Sequence, residues 1–463
     1  MRGPSFWILA CILAFSPLPF ASVRPVWSAL YGALVAIALI AFLLQRRLAG
    51  RSIPALPWPL GVAGGLVALV AAWGYLQSLP GLAPGLQHPV WAETGALLGD
   101  PQLAGALSLA PAQSARFAMQ LLGYLGFGLL VVWHCRRQRN LDLLLRIFIG
   151  AQAVYALYGL AIYFSGTEMI LWFEKTAYQD VLTSTFVNRN SYATYVGLGA
   201  LASLALILRY LRHVMDGEKS RRTLARELLE QLTSKGWLLV IVLFSCILAV
   251  LLTESRMGLT ALLVAGSVLL IGWTSRLPAG RSRRLGAGLL TLVAGLLAIN
   301  FVLSGGLTAE RFARLFDAGD GRFDVYPLML EAIGERPFTG YGLGAFESAF
   351  RLYRDETVLA FFRRGHSDYL ELIMGIGWPA ATAMFAAFAI LLASAWRMRR
   401  GRGQFEPALL SAAATVQVAV HATVDFSLQM PAVVFAYLFL ALAAFGQWHR
   451  SQQDSAGARK QAH

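Results

Sequence analysis

The sequence predicts an all-α protein that crosses a membrane about twelve times. Hydrophobic residues make up 57% of its 463 residues, charged residues make up only 14%, and the mean hydropathy is +0.58. A soluble domain of this length carries far more charge on its surface. The composition therefore excludes a large soluble core and indicates a polytopic membrane protein.

Twelve stretches of the sequence meet or approach the roughly 20 apolar residues that a spanning helix needs. They lie at 6–23, 26–44, 60–77, 117–133, 143–164, 192–208, 237–252, 257–273, 285–303, 370–392, 408–423 and 430–446. This pattern predicts nine spans in 1–303, a large extracytoplasmic loop at 304–369, three further spans in 370–446 and a cytoplasmic tail at 447–463.

Lysine and arginine indicate the orientation, because positive charge is retained on the cytoplasmic side. Most of the 39 lysines and arginines fall in connections after even-numbered spans, such as 209–235, and in the tail. Both termini are therefore expected inside and the 304–369 loop outside. The net charge of +14 is mostly this topology signal. No nucleic-acid partner is expected, because basic and aromatic residues do not alternate in any soluble segment.

The outward side nevertheless keeps a set of basic residues, nearly all of them arginine. They are Arg24, Arg116, Lys175, Arg189, Arg256, Arg311, Arg314, Arg322, Arg336, Arg351, Arg354, Arg363 and Arg364. A guanidinium binds two phosphate oxygens at once, whereas an ammonium acts as a point charge. So much arginine beside the lipid bilayer indicates an anionic, lipid-borne substrate.

Two of these arginines lie where predicted spans begin on the outside. Arg189 precedes the sixth span in the motif FVNRN, and Arg256 opens the eighth span in ESRMG. The free N–H groups and the positive dipole end of a helix add to the guanidinium, a combination that suits a pyrophosphate. Asn190 or Ser191, and Ser255, are candidate N-caps. The alternative is that each arginine only marks the end of a helix.

His366 opens the tenth span in the motif HSDYLE. Asp368 and Glu371 have capping-box spacing, so His366 is expected two residues before the N-cap. The helix N-terminus and the neighbouring Arg363 and Arg364 disfavour imidazolium, which leaves a neutral imidazole able to accept a proton. The alternative is an interfacial histidine that only hydrogen-bonds the backbone.

The outward loop contains its own regular pattern. Apolar residues recur at helical spacing over 322–333, which predicts an amphipathic helix on the outer membrane surface. The turn-rich run ERPFTGYGLGAF follows at 335–346. The aspartates before this helix do not complete a calcium-loop pattern, so no metal is expected.

Taken in order, several of these motifs resemble one known family. FVNRN, ESRMG, Arg322 to Pro327, ERPFTGYGLGAF and HSDYLE are together similar to the O-antigen ligase and polymerase superfamily of bacterial envelope glycosyltransferases. The motifs cover 180–380, and the topology agrees over the whole chain. The resemblance implies a fold of the type C glycosyltransferase class in the bacterial inner membrane, with its active site on the periplasmic side.

The resemblance also implies a reaction. A glycan would pass from undecaprenyl pyrophosphate to a sugar hydroxyl on lipid A core or on a growing polysaccharide, with inversion and without a metal or other cofactor. Arg189 and Arg256 would hold the pyrophosphate, and Arg322 would assist or shape that site. His366 would deprotonate the acceptor hydroxyl.

Three functions remain open from the sequence. Ligation to lipopolysaccharide core and polymerisation of repeat units both fit, because Ser367 stands where family ligases often have Asn. A lipid-linked glycan transporter is the third, although charge here collects at span ends, with Asp425 and His421 as the exceptions. Asp368 and Glu347 are candidates for orienting the acceptor sugar.

Overall fold

The computed structural model describes residues 2–215, 222–223, 226–227, 230, 236–277, 279–303, 322–356, 358, 361–399 and 405–461. Its long elements are all helices. In chain order they are α1 (Pro4–Phe15), α2 (Pro25–Leu48), α3 (Trp58–Gln77), α4 (Val90–Leu98), α5 (Pro111–Cys135), α6 (Gln138–Phe164), α7 (Arg189–Met215), α8 (Trp237–Leu252), α9 (Arg256–Thr274), α10 (Ala279–Leu303), α11 (Arg322–Glu335), α12 (Phe346–Tyr353), α13 (Asp368–Met398), α14 (Phe405–His421) and α15 (Pro431–Gln461).

The remaining regular elements are short. Turns of 3-10 helix lie at Phe20–Ser22, Pro84–Leu86 and Ser427–Gln429. Two strands of two residues each, β1 (Met169–Ile170) and β2 (Phe173–Glu174), form one antiparallel pair between α6 and α7. The described part of the chain is therefore almost entirely helical, as the composition predicts.

Each apolar stretch predicted from the sequence overlaps one of these helices. Among the described residues, eight helices are long and apolar enough to cross a membrane, namely α2, α3, α5, α6, α7, α9, α13 and α15. The apolar parts of α1, α8 and α10 are shorter, and α14 has 17 residues. The chain is thus a polytopic membrane protein, while the number of twelve spans stays a prediction.

The ends of the helices follow local sequence rules. Proline occupies one of the first two positions of α1, α2, α3 and α5. At these positions its missing N–H costs no helical hydrogen bond, and its fixed φ already suits a helix.

Two helices form the centre of the bundle. The apolar parts of α7 and α15 are buried over nearly their whole length, whereas α2 exposes most of its residues. Large aromatic side chains fill the centre, among them Tyr192, Tyr195, Phe439 and Phe445, each less than 2% exposed. Such all-round burial is typical of a helix inside a bundle, and one-sided exposure is typical of a helix that faces lipid.

The described part of the loop between α10 and α13 packs against the bundle. A helix occupies Arg322–Glu335, where the sequence predicts one. Its buried residues Met329 and Ala332 join an apolar cluster with Phe346 of α12 and Met374 of α13. The apolar face of α11 is therefore covered by protein, and its placement on the membrane surface stays a prediction.

The second contact of this loop is made by the glycine-rich run 340–344. α13 is interrupted at Gly377, where φ is 74° and ψ is 166°. The carbonyls of Met374 and Gly375 accept hydrogen bonds from the N–H groups of Tyr341 (2.9 Å) and Gly342 (2.8 Å). An unbroken helix could not satisfy the Gly375 carbonyl, because residue 379 is proline and has no N–H. Trp378 N, which would pair with the Met374 carbonyl, donates to the Pro337 carbonyl instead (2.8 Å), so the run supplies the missing donors.

Gln77, the last residue of α3, closes this junction. Its Nε2 donates to the carbonyls of Thr339 (2.7 Å) and Gly375 (2.9 Å), and its Oε1 accepts from Leu343 N (3.1 Å). The side chain is fully buried. One amide therefore joins α3, the glycine-rich run and the broken helix.

We expect Gly340→Ala to destabilise the protein. Gly340 has a φ of +64°, and a Cβ there would lie 2.5 Å from the Gly375 carbonyl oxygen. The left-handed conformation alone costs an alanine about 1–2 kcal/mol, and the clash adds to it. Thermal unfolding in detergent measures the effect. The control is Gly266→Ala within α9, where a Cβ meets no atom within 4 Å; equal melting temperatures for the two variants would contradict the role assigned to the junction.

Candidate functional site

The helix that carries Arg189 begins with an Asx cap. Asn188 Oδ1 accepts hydrogen bonds from the N–H groups of Asn190 (2.7 Å) and Ser191 (3.4 Å). The N-cap is therefore Asn188, and the prediction of Asn190 or Ser191 was wrong. Arg189 consequently occupies the first helical position, directly after the N-cap and at the positive end of the helix dipole.

The helix that carries Arg256 begins beside it. Ser255 is its N-cap as predicted, because Ser255 Oγ accepts from Gly258 N at 3.2 Å. A Cβ on Gly258 would lie 2.6 Å from Cβ of Ala193, in the second turn of α7. The N-terminal ends of α7 and α9 are thus in contact, and the structure brings Arg189 and Arg256 onto neighbouring helix N-termini.

Arg189 is partly buried and only loosely paired. Its Nη1 lies 3.7 Å from Glu254 Oε2, and its guanidinium lies 5.8 Å from the centre of the Tyr178 ring. Its Nε is enclosed and has no hydrogen-bond acceptor among the described residues. An exposed pair at this distance contributes little energy. The guanidinium therefore retains the capacity to bind an incoming anion.

The segment that carries Tyr178 is held by an ion pair. Lys175 Nζ lies 2.9 Å from Glu168 Oε2, and the other oxygen of Glu168 accepts from Asp180 N at 2.9 Å. The hydrogen bond from Lys175 lowers the pKa of Glu168. Lys175, one of the outward basic residues, is therefore engaged in fixing the loop over Arg189.

His366 directly precedes the N-cap of α13. Ser367 Oγ accepts from Leu370 N at 3.4 Å, so Ser367 caps the helix and the predicted capping by Asp368 was wrong. The backbone of His366 is left-handed, with a φ of 52°. Its carbonyl accepts from Tyr326 Oη of α11 at 2.7 Å. These contacts hold a strained residue at the mouth of the helix.

Aromatic rings enclose the imidazole of His366. The Phe426 and Phe362 rings meet it edge to face at centroid distances of 5.0 and 5.9 Å. The two rings restrict the orientation of the imidazole. The neutral state and the role as a base stay predictions.

Glu371 fixes the loop immediately before the histidine. It is buried, and its Oε2 accepts from Gly365 N at 2.8 Å while its Oε1 lies 3.3 Å from Arg364 Nη1. The carboxylate therefore reaches back past the N-cap and binds the backbone ahead of His366. The spacing in the sequence predicts Glu371 only as the partner of Asp368 in a capping box.

Asp368 and Glu347 lie in different environments. Both oxygens of Asp368 accept hydrogen bonds, from Leu428 N and from Gln429 Nε2, each at 3.1 Å. Glu347 of α12 lies 2.9 Å from Arg351 one helical turn later. The orientation of an acceptor sugar by either residue stays a prediction, and Asp368 already anchors the segment between α14 and α15.

A buried polar network joins α7 to the start of α13. Asp425 Oδ2 accepts from Ser191 Oγ at 3.5 Å and from Ser427 Oγ. Ser427 also accepts from Thr194 at 2.9 Å, and the Asp425 carbonyl accepts from Asp368 N at 3.1 Å. This network brings the N-terminal end of α7, which carries Arg189, close to the start of α13, which His366 precedes.

Arg322 begins α11. Its side chain lies outside the described residues, as does the part of the loop at 304–321. Tyr326, which binds the His366 carbonyl, follows Arg322 by four residues. The helix of Arg322 therefore contacts the histidine segment. Among the described residues no group of His, Cys, Asp and Glu has metal-binding geometry.

A family model described as O-antigen ligase matches residues 239–385 of the chain. The match runs from α8 into α13 and includes Arg256, Arg322 and His366, whereas Arg189 lies before it. No curated protein matches the chain. The match supports the O-antigen ligase and polymerase superfamily as the family that the motifs resemble.

We expect Glu371→Ala to loosen the segment that holds His366. The change leaves the buried Gly365 N–H unsatisfied, which costs about 1–3 kcal/mol. Thermal unfolding and protease sensitivity within 361–366 measure it. Glu347→Ala is the matched control, because its exposed pair with Arg351 contributes at most about 1 kcal/mol. Identical behaviour of both variants would argue against the clamp.

Proposed function

We propose that this membrane protein, with its O-antigen ligase domain at residues 239–385, transfers a glycan from undecaprenyl pyrophosphate to a sugar hydroxyl at the outer face of the bacterial inner membrane. The observation that carries the proposal is the meeting of the helix N-termini of α7 and α9, each of which begins with an arginine. The start of α13, with His366 ahead of it, is joined to α7 through Asp425.

The first part of the mechanism concerns the leaving group. As the bond between the anomeric carbon and the pyrophosphate oxygen breaks, the electron pair and negative charge move onto the pyrophosphate. Arg189 and Arg256 are proposed to stabilise that charge, together with the positive dipole ends of α7 and α9. Arg322 is proposed to assist at the same site. The protein groups suffice for this step, so the proposed reaction is metal-independent.

The second part concerns the acceptor. An acceptor hydroxyl oxygen forms the new bond to the anomeric carbon from the side opposite the leaving pyrophosphate, so the configuration inverts. Its proton passes to a ring nitrogen of His366, which acts as general base. The rings of Phe426 and Phe362 keep the imidazole oriented until that moment.

A polymerase of the same superfamily would use the same donor site with a different acceptor. Transfer onto purified lipid A core identifies a ligase, whereas extension of a second lipid-linked glycan identifies a polymerase. A transporter would move the donor without breaking the glycosyl bond, so release of undecaprenyl pyrophosphate during the assay excludes it.

We expect Arg189→Ala and Arg256→Ala each to slow transfer by roughly 10²–10³-fold, because each removes a charge-assisted contact to the developing anion. Arg→Lys should restore only part of the rate, since the planar fork is lost. The measurement is transfer by purified protein from a defined donor. Arg24→Ala is the control, an outward arginine that stacks on Phe20 at 5.0 Å and lies outside the proposed site. Normal turnover by both variants at the site would refute the pyrophosphate role.

We expect His366→Ala to slow transfer by roughly 10²–10⁴-fold, the usual contribution of a positioned base, while donor binding remains. His366→Gln should be nearly as slow, because an amide does not take up the proton. A higher pH should partly restore the rate of the histidine variants and not that of the arginine variants. Loss of donor binding in His366→Ala would assign the residue to the donor site instead.

A further inference from the structure

A second polar site lies at the other end of the bundle. A cavity of about 810 Å³ is bounded by the first residues of α1, the end of α2, the end of α5 and the start of α6. α6 has 27 residues, which corresponds to roughly 40 Å of helix. Its other end leads through 165–188 to Arg189, so the cavity and the proposed glycan-transfer site lie at opposite ends of α6. The charge pattern predicts that this end is cytoplasmic.

The lining of the cavity is strongly basic. Five arginines contribute to it, and none of the described residues that line it is acidic. The five are Arg2, Arg46, Arg51, Arg136 and Arg137. Arginines that only mark the end of a helix spread into solvent, whereas these come from three separate segments of the chain and meet at one concave surface.

The walls of the cavity are fixed by contacts within the protein. Arg2 Nε donates to Asn140 Oδ1 at 3.1 Å, and Ser5 Oγ lies 3.1 Å from His134 Nε2. Trp133 Nε1 donates to the Pro54 carbonyl at 3.1 Å, which holds the loop between α2 and α3 across the opening. The cavity is therefore a built feature of the fold.

Arg46 has an unused donor at this site. One Nη group donates to the Ser52 carbonyl, but Nε is enclosed and has no hydrogen-bond acceptor among the described residues. Burial, together with the nearby charge of Arg46, lowers the pKa of Arg136. Two guanidinium groups thus repel each other inside a partly enclosed space. A bound anion would relieve the repulsion and satisfy the open donor.

We propose that this cavity binds a phosphate-bearing anion, with at least two negative charges, at the end of the bundle remote from glycan transfer. A guanidinium binds two oxygens of a phosphate at once, and five arginines suit a group that carries more than one negative charge. The stacked rings of Phe42 and Trp133, 4.9 Å apart, form an apolar wall beside the arginines. A phospholipid headgroup with its attached chains matches that combination of charge and apolar surface.

The test uses the purified full-length protein and two probes. Native mass spectrometry measures retention of cardiolipin, which carries two phosphates, against phosphatidylcholine. Calorimetric titration with inorganic pyrophosphate tests a soluble source of the same chemistry. The double variant Arg46→Gln/Arg136→Gln should lower the affinity for the probe by about tenfold or more. Each basic residue near a membrane surface contributes roughly fivefold to the affinity for an anionic lipid. The control variant Arg47→Gln/Arg139→Gln lacks two neighbouring arginines that do not line the cavity. This variant should bind the probe with wild-type affinity.

Binding of cardiolipin that falls only in the lining variant supports a lipid headgroup. Binding of pyrophosphate with the same dependence supports a soluble phosphate ligand. Should Arg46→Gln/Arg136→Gln fail to fold, the single variant Arg51→Gln, at an exposed lining position, replaces it, with an expected loss of about threefold to fivefold. Equal binding by lining and control variants, or binding of neither probe by the wild-type protein, overturns the proposal.

Discussion

The break in α13 is the constraint on which the candidate site depends. A carbonyl released inside a membrane protein has no water to bond and must find a donor in the protein. At Met374 and Gly375 the donors are the N–H groups of the run 340–344, and Gln77 supplies another. Only glycine allows this approach, because a Cβ at Gly377 would lie 2.3 Å from the Phe338 carbonyl oxygen. The run 340–344 is therefore locked to the bundle through its backbone.

This lock fixes the position of the first half of α13 and hence of His366. α11 and α12 reach the same half-helix, and Tyr326 binds the His366 carbonyl directly. From the other side, Asp368 binds the segment between α14 and α15, which also carries Asp425 and Phe426. The imidazole is thus placed by groups far apart in sequence. The left-handed backbone of His366 persists because the surrounding contacts determine it.

The sequence predicted the elements better than their contacts. The length of the apolar stretches predicts the helices. Ser255 is correctly predicted as an N-cap, because few other residues that can cap a helix lie next to it. Asn188 and Ser367 are not predicted as N-caps, because neighbouring residues can also cap a helix. Tertiary contacts decide which of these residues is the cap. Ser191 Oγ is directed to Asp425, and the oxygens of Asp368 are used by Leu428 and Gln429. Likewise, nothing in the sequence identifies the partners of Gln77, which ends the third apolar stretch.

The acidic residues of the site show why Arg189 remains available to a substrate. Both oxygens of Glu371 are used by the segment before His366, and both oxygens of Asp368 by the segment before α15. Among the acidic residues that the structure describes, only Glu254 forms an ion pair with Arg189, at 3.7 Å and with two thirds of its side chain exposed, 68%. Such a pair contributes at most about 1 kcal/mol. A pyrophosphate bound to the same guanidinium would carry more negative charge than the glutamate and would also lie next to two helix N-termini. It would therefore displace the glutamate at little cost.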